Sequence, residues 1–159
     1  ERFNKIGSKP KLSKENICEE IDKTINYLRA RLSKKIILEF EHPKDEIIVY
    51  LNNQLFSWSL ENIIKNSIDS IKDTGKVKIS IIEEDEYLKI YISDNGVGIK
   101  QSIKNKIFSP GVTTKERGWG LGLSLSKRII EEYHNGEIKL KESIVGQGTK
   151  MLIKLKTVK

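Results

Sequence analysis

The sequence predicts a two-layer α/β sandwich of the α+β kind, a mixed β-sheet with three main helices on one face. Strand-like segments alternate apolar and charged residues, as in Val77-Lys78-Ile79 and Ile138-Lys139-Leu140. Such alternation marks a sheet buried on one side, against the continuously apolar strands of a doubly wound parallel fold. The elements follow the order helix, strand pair, helix, strand pair, long loop, helix, strand pair. That order gathers the helices on the covered face of one sheet.

Residues 1–12 carry a Gly-Ser-Lys-Pro break and read as a linker, with the folded domain spanning 13–159. Ser13 is placed to cap a first helix, with Leu12 and Ile17 as a hydrophobic staple. Ile17, Ile21, Ile25, Leu28 and Leu32 then recur at helical spacing to about Ser33. Ile36, Leu38 and Phe40 alternate as a strand, His42-Pro43-Lys44-Asp45 turns the chain, and Ile47, Val49 and Leu51 make its partner. Asn52 or Asn53 caps a second helix reaching about Asp73. Strands follow at Val77-Ile79-Ile81 and Leu88-Ile90-Ile92, the second delivering Asp94. A third helix runs from Leu121 to about His134, and Asn135-Gly136 ends it, with Gly suited to the position just past a helix. Ile138 with Leu140, and Met151 with Ile153 and Leu155, form the closing strands.

At 159 residues the chain suits one domain with one core. The net charge of +7 is carried largely by lysines alternating with apolar residues, Lys76, Lys78, Lys89, Lys139, Lys141, Lys150, Lys154 and Lys156 among them. They are placed on a solvated sheet face, and no nucleic-acid partner is expected. Cys18 is the sole cysteine, so no internal disulfide forms, and His42 and His134 have no cysteine neighbours to build a zinc cage. No apolar run has the length of a membrane span.

The chemistry concentrates between Asp94 and Leu123. DNGVGI ends a strand on an acid followed by Gly96 and Gly98, which can take positive φ and let a flat ligand lie close to the main chain. Gly118, Gly120 and Gly122 fall every second residue before an apolar helical run, a turn whose N–H groups and helix start suit phosphate. Between them, Lys100 to Arg117 holds Pro110-Gly111, two threonines and few apolar anchors, and is expected to act as a lid that nucleotide orders. No GK[ST] follows the glycines, so the turn is not a Walker A loop. On the second helix Asn62, Asn66 and Asp69 are spaced four and three apart and share one side.

ENIIKNSIDS, DNGVGI, GWGLGLSLSKRIIEEYHNGEI and GQGTKMLIKL together resemble the ATP-binding catalytic domain of sensor histidine kinases, over about residues 13 to 157. That family belongs to a superfamily with gyrase-type, mismatch-repair and heat-shock-chaperone ATPases. The resemblance implies a Bergerat-type ATP-binding fold with ATP and Mg2+ as ligands. It implies Asn66 as the magnesium residue, with Asn62 lining the same site one turn earlier and Asp69 and Lys65 as further candidates. Asp94 would accept from the adenine amino group, supported by Thr149, while Gly96 and Gly98 let the purine approach. Phe108 resembles the family's lid phenylalanine and would also anchor the lid on the core. Ile99, Thr113, Thr114, Leu121 and Leu123 would complete the nucleotide contacts, with Gly118, Gly120 and Gly122 on the phosphates. Lys115 or Arg117 would reach the γ-phosphate.

In the resemblance, the gyrase-like and chaperone relatives and the anti-sigma-factor kinases carry a glutamate four residues before the magnesium asparagine, where this sequence has Asn62. Glu61 is one residue off, about 100° round the helix. The substitution favours a kinase whose nucleophile comes from another domain. His42, followed by Pro43, and His134, before Asn135-Gly136, do not fit the phosphoacceptor pattern. The implied partners are therefore the protein's own dimerisation and histidine-phosphotransfer helices and a cognate response regulator. The full-length protein is expected to be a homodimer and this segment a monomer. Membrane anchoring elsewhere in the protein is left open, and cytoplasmic placement of the domain follows from ATP supply and cysteine usage. Two alternatives stand beside the kinase: a nucleotide-gated interaction domain, and a gyrase-like ATPase module.

Overall fold

The computed structural model describes residues 9–110 and 122–158. Its main sheet has five strands in the order β2-β4-β5-β7-β6. These are β2 (Ile36–Phe40), β4 (Gly75–Glu84), β5 (Tyr87–Asp94), β6 (Glu137–Ile144) and β7 (Gly148–Lys156). β2 and β4 are parallel, and the other neighbours are antiparallel. A two-stranded sheet of β1 (Ser13–Asn16) and β3 (Ile48–Leu51) flanks it. Helices α1 (Ile17–Arg29), α2 (Asn53–Asp69) and α3 (Gly122–Arg128) supply the helical layer. The mixed sheet with helices on one face is the architecture that the alternating strands predict.

The core joins the inward residues of both layers. Ile21, Ile25, Phe56, Leu60 and Ile64 from the helices meet Ile79, Ile90, Ile92 and Ile153 from the sheet, all at most 1% exposed. The alternating lysines lie on the other face, and none of the eight named above is buried. Several meet carboxylates there, Lys76 with Glu39 at 2.7 Å and Lys89 with Glu84 at 3.5 Å. Cys18 is buried in the core.

Several local expectations are corrected. Ser13 is not a helix cap, because residues 13–16 pair as a strand with β3 in the register Ser13↔Leu51 to Asn16↔Ile48. Asn16 caps α1 instead, its Oδ1 accepting from Cys18 N–H at 3.1 Å and from Ile47 N–H at 3.3 Å. The helix ends at Arg29 and not near Ser33. β2 and β3 are not a hairpin, since β2 pairs with β4 and β3 with β1. Seven residues, 41–47, separate them, too many for a tight two-residue turn to set a hairpin register.

Asn52 is the cap of α2, accepting from Leu55 N–H at 3.0 Å, and the helix ends at Asp69, short of Asp73. α3 passes into a π-helical turn over Ile129–Tyr133. The left-handed residue beyond it is Asn135 (φ 54), not Gly136. Gly136 is needed for packing: a Cβ there would lie 2.6 Å from both Leu155 Cδ2 and the Lys154 carbonyl oxygen.

Candidate nucleotide site

Asp94 is the last residue of β5, opposite Thr149 of β7. Thr149 faces Ser143 of β6 in turn. Opposed residues on neighbouring strands project to the same face. Asp94, Thr149 and Ser143 therefore make a polar row across three strands, continuing the face that carries buried Ile92 and Met151.

Two backbone donors converge on one Asp94 oxygen. Oδ1 accepts from Gly96 N–H at 2.9 Å and Thr149 N–H at 3.2 Å, and Ser70 Oγ lies 3.3 Å away with its proton on the Ser67 carbonyl at 2.7 Å. Ser70 follows the last residue of α2, and its carbonyl accepts from Val97 N–H at 3.0 Å. The end of α2 and the DNGVGI loop are thus locked together around the carboxylate. With Oδ1 engaged twice by backbone N–H groups, Oδ2 is the oxygen left to accept from a ligand among the described residues.

The glycines divide into two kinds. Gly96 is not at positive φ, contrary to expectation. A Cβ on it would overlap the Ser70 side chain and lie 2.7 Å from the Ser70 carbonyl oxygen. Gly98 does take positive φ (+79), and its Cβ would lie 2.5 Å from the Ile144 carbonyl oxygen. The space beside both glycines is filled by this protein's own backbone. Gly148 (φ +132) has the same constraint against the Asp94 carbonyl. At Gly122 a Cβ would meet only Asn62 Cγ, at 3.9 Å, so nothing described in the fold requires glycine there.

That contact also places the α2 polar side. Asn62 faces the first residue of α3, and its buried amide nitrogen has no hydrogen-bond partner among the described residues. A buried donor without a partner is costly, and beside an open glycine position it suits a ligand with acceptor oxygens. Asn66 is half-buried one turn further along, and Asp69 is exposed. An amide oxygen at Asn66 fits a hard cation that keeps most of its waters. Among the described residues no cluster of His, Cys, Asp and Glu offers another metal site. Glu61 is tied to Lys65 at 2.9 Å, which engages both as an ordinary helix-surface pair.

Phe108 and Leu123 are half-buried against the core, and Lys127 Nζ lies 5.3 Å from the Phe108 ring centre. Phe108 is therefore a core anchor, the structural half of the role expected of it. Ile99 also packs on the core, and its N–H donates to Ser143 Oγ at 2.8 Å. Thr113, Thr114, Lys115, Arg117, Gly118, Gly120 and Leu121 lie outside the described residues.

Sequence reasoning missed Ser70 and Ser143. Ser70 gives no periodic signal at all. Period-two reading from Ile138 and Leu140 sends Glu142 inward, but the register shifts between Leu140 and Glu142. Lys141 becomes an extra residue, and Ser143 takes the inward place, 5% exposed.

His134, at the end of the third helix as expected, has partners that the sequence did not indicate. Its Nε2 accepts from Asn52 N–H at 3.1 Å, which puts the ring proton on Nδ1, donated to the Ile129 carbonyl at 2.9 Å. Burial pushes its pKa down, partly offset by the bond to Ile129.

The sequence profile of the histidine kinase-, DNA gyrase B-, and HSP90-like ATPases matches residues 54–159. Nitrogen regulation protein NtrY of Azorhizobium caulinodans is 32% identical over 155 residues, covering 93% of this chain and 20% of NtrY. The chain spans about a fifth or less of the length of the first curated relatives it matches. Among solved structures, the catalytic domain of histidine kinase ThkA matches with a TM-score of 0.82 and 27% identity over 92% of this chain and 96% of that one. ThkA in complex with response regulator protein TrrA matches with a TM-score of 0.78 and 26% identity, over 92% of this chain and 42% of that one. With the strand-end acid and the asparagine side of α2 facing the first residue of α3, the chain belongs to the histidine kinase-, DNA gyrase B- and HSP90-like ATPase family, and its fold is that of a histidine kinase catalytic domain.

Proposed function

We propose that the chain binds ATP with Mg2+ and passes the γ-phosphoryl group to a histidine on an adjoining helical domain, in two-component signalling. The observation that carries the reading is the Asp94 carboxylate, with Oδ1 engaged by two backbone N–H donors and Oδ2 left for the adenine amino group. The Asn62–Gly122 contact supports phosphates between α2 and the start of α3. Asn66 would hold the metal. When bound, magnesium supplies charge neutralisation on the transferring group. The chain's own part is to fix the base at Asp94, keep the phosphates on backbone N–H groups, and leave the γ-phosphate open to an outside nucleophile.

Transfer is favoured over hydrolysis because no acid occupies the Asn62 position and Glu61 is engaged by Lys65. Lys115 or Arg117 would offset charge on the γ-phosphate. Residues 1–12 serve in this reading as the link to the phosphoacceptor helices, through which the whole protein dimerises and meets its response regulator.

The test is incubation with γ-labelled ATP, with and without a separately produced phosphoacceptor helix pair. Label that appears on the helices, lost in acid and kept in alkali, is the expected result. Binding of ATP with no transfer supports the interaction-domain alternative, and fast turnover by the chain alone supports the ATPase.

A further inference from the structure

We infer that Ser143 is a specificity-determining positioning residue: it sets the hydroxyl of Thr149 as a hydrogen-bond donor beside the Asp94 acceptor, so that the pair reads the adenine edge. The inference rests on the adenine-nucleotide reading and adds to it the residue that fixes the direction of the second base contact. Its ground is the row Asp94–Thr149–Ser143 across β5, β7 and β6.

The protons can be followed along the row. Ile99 N–H can only donate, and it points at Ser143 Oγ from 2.8 Å, so Ser143 accepts there. A serine hydroxyl has one proton to give. Two acceptors are in reach, Thr149 Oγ1 at 2.9 Å and the Gly148 carbonyl at 3.3 Å. The relay assigns the proton to the shorter contact, and so away from the Gly148 carbonyl. Thr149 Oγ1 then accepts from Ser143, and its own proton is free to point away from the row. Ser143 is buried, whereas Thr149 and Asp94 are each partly exposed. The row thus ends at the surface in an acceptor, Asp94 Oδ2, and a donor, Thr149 O–H.

That order has a chemical consequence. Adenine presents a 6-amino donor beside the N1 acceptor, the complement of an acceptor next to a donor. Guanine presents the 6-carbonyl beside N1–H, which opposes both groups. Asp94 alone distinguishes only the 6-substituent. The Ile99–Ser143–Thr149 relay adds discrimination at N1, and it does so through a residue that need not touch the ligand.

Calorimetry with ADP and 1-deaza-ADP tests the relay, because 1-deaza-ADP keeps the amino group and replaces N1 by C–H. Wild type should prefer ADP roughly tenfold, the worth of one hydrogen bond that leaves no partner unpaired. Ser143→Ala should lose that preference by weakening ADP while leaving 1-deaza-ADP within about twofold, and Ser143→Thr, which keeps the hydroxyl, should restore it. Thr149→Val should lose the same preference, and adding Ser143→Ala to it should cost nothing more for ADP, since the two act in series. If Ser143→Ala does not fold, Ser143→Cys, nearly the same size with a weak donor, carries the same expectation. Equal weakening of both nucleotides by the Ser143 variants, as a merely structural serine would give, overturns the relay, as does an unchanged preference. A wild-type chain that binds neither nucleotide overturns the nucleotide reading and the relay with it.

Discussion

The backbone N–H of Thr149 donates to Asp94 Oδ1 at 3.2 Å across the β5–β7 pair, so the acid is oriented by the sheet itself. Gly96 N–H holds the same oxygen from the following turn at 2.9 Å. Asparagine at position 94 can keep its carbonyl oxygen on those donors and turn its NH2 to the ligand side. Asp94→Asn should therefore fold, yet set a donor against the adenine amino donor and weaken ADP by about 1–3 kcal/mol. The ratio of ADP to GDP affinity should fall with it, because the guanine carbonyl accepts from the new NH2. Titration calorimetry of both nucleotides, with a thermal melt as control, measures this. An unchanged ratio would sink the assignment of Asp94 to the base.

The two kinds of glycine give opposite expectations. Gly96→Ala forces a side chain into Ser70 at the end of α2 and should cost about 2 kcal/mol or more of stability. Among the described residues Gly122→Ala meets only Asn62 Cγ, at 3.9 Å, and should leave stability within about 1 kcal/mol of wild type. Its effect should fall on nucleoside di- and triphosphates instead of on adenosine. Denaturant melts and binding of adenosine, ADP and ATP separate the two. Weakened adenosine binding in Gly122→Ala would count against phosphates at the start of α3.

Asn66→Ala should leave ADP binding in the presence of a chelator largely unchanged and remove most of the gain that magnesium gives to ATP. The motive is its half-buried place one turn from Asn62. ATP affinity with magnesium and with chelator, in both proteins, checks it. An equal magnesium response in the variant refutes the metal role.

His134 makes stability depend on pH. Burial depresses its pKa in the folded state below the ordinary histidine value of about 6.5, so the unfolded chain binds the proton more readily. The contribution is fully present above about pH 6.5 and is lost as pH falls below it through the folded value. Protonation also removes the Nε2 lone pair that accepts from Asn52 N–H at 3.1 Å. His134→Gln should flatten the pH dependence between about pH 7.5 and 5.5, while costing roughly 1 kcal/mol at the upper end. Denaturant midpoints of both proteins across that range provide the measurement. Parallel slopes would assign the dependence to other groups.

Amino-acid order by itself determined the elements whose signal is local. Alternation in Val77-Lys78-Ile79 and Leu88-Lys89-Ile90 set the strands and turned the lysines to solvent, and Asp94 was placed at a strand end. The spacing of Asn62 and Asn66 put both on one side of α2, and the motif order led to the family. Only the tertiary structure decided what meets across distance. Asn52 and His134 are 82 positions apart, and nothing periodic joins them. Gly96 reads as a ligand-facing glycine until the end of α2 is seen to occupy its space. β2 lies beside β4, a pairing that no tight turn in segment 41–47 signals. Ser143 joins the Asp94 row because one extra residue in β6 reverses the alternation after Leu140. A bulge is stabilised by its partner strand and not by the residues that form it, so side-chain period alone cannot locate it.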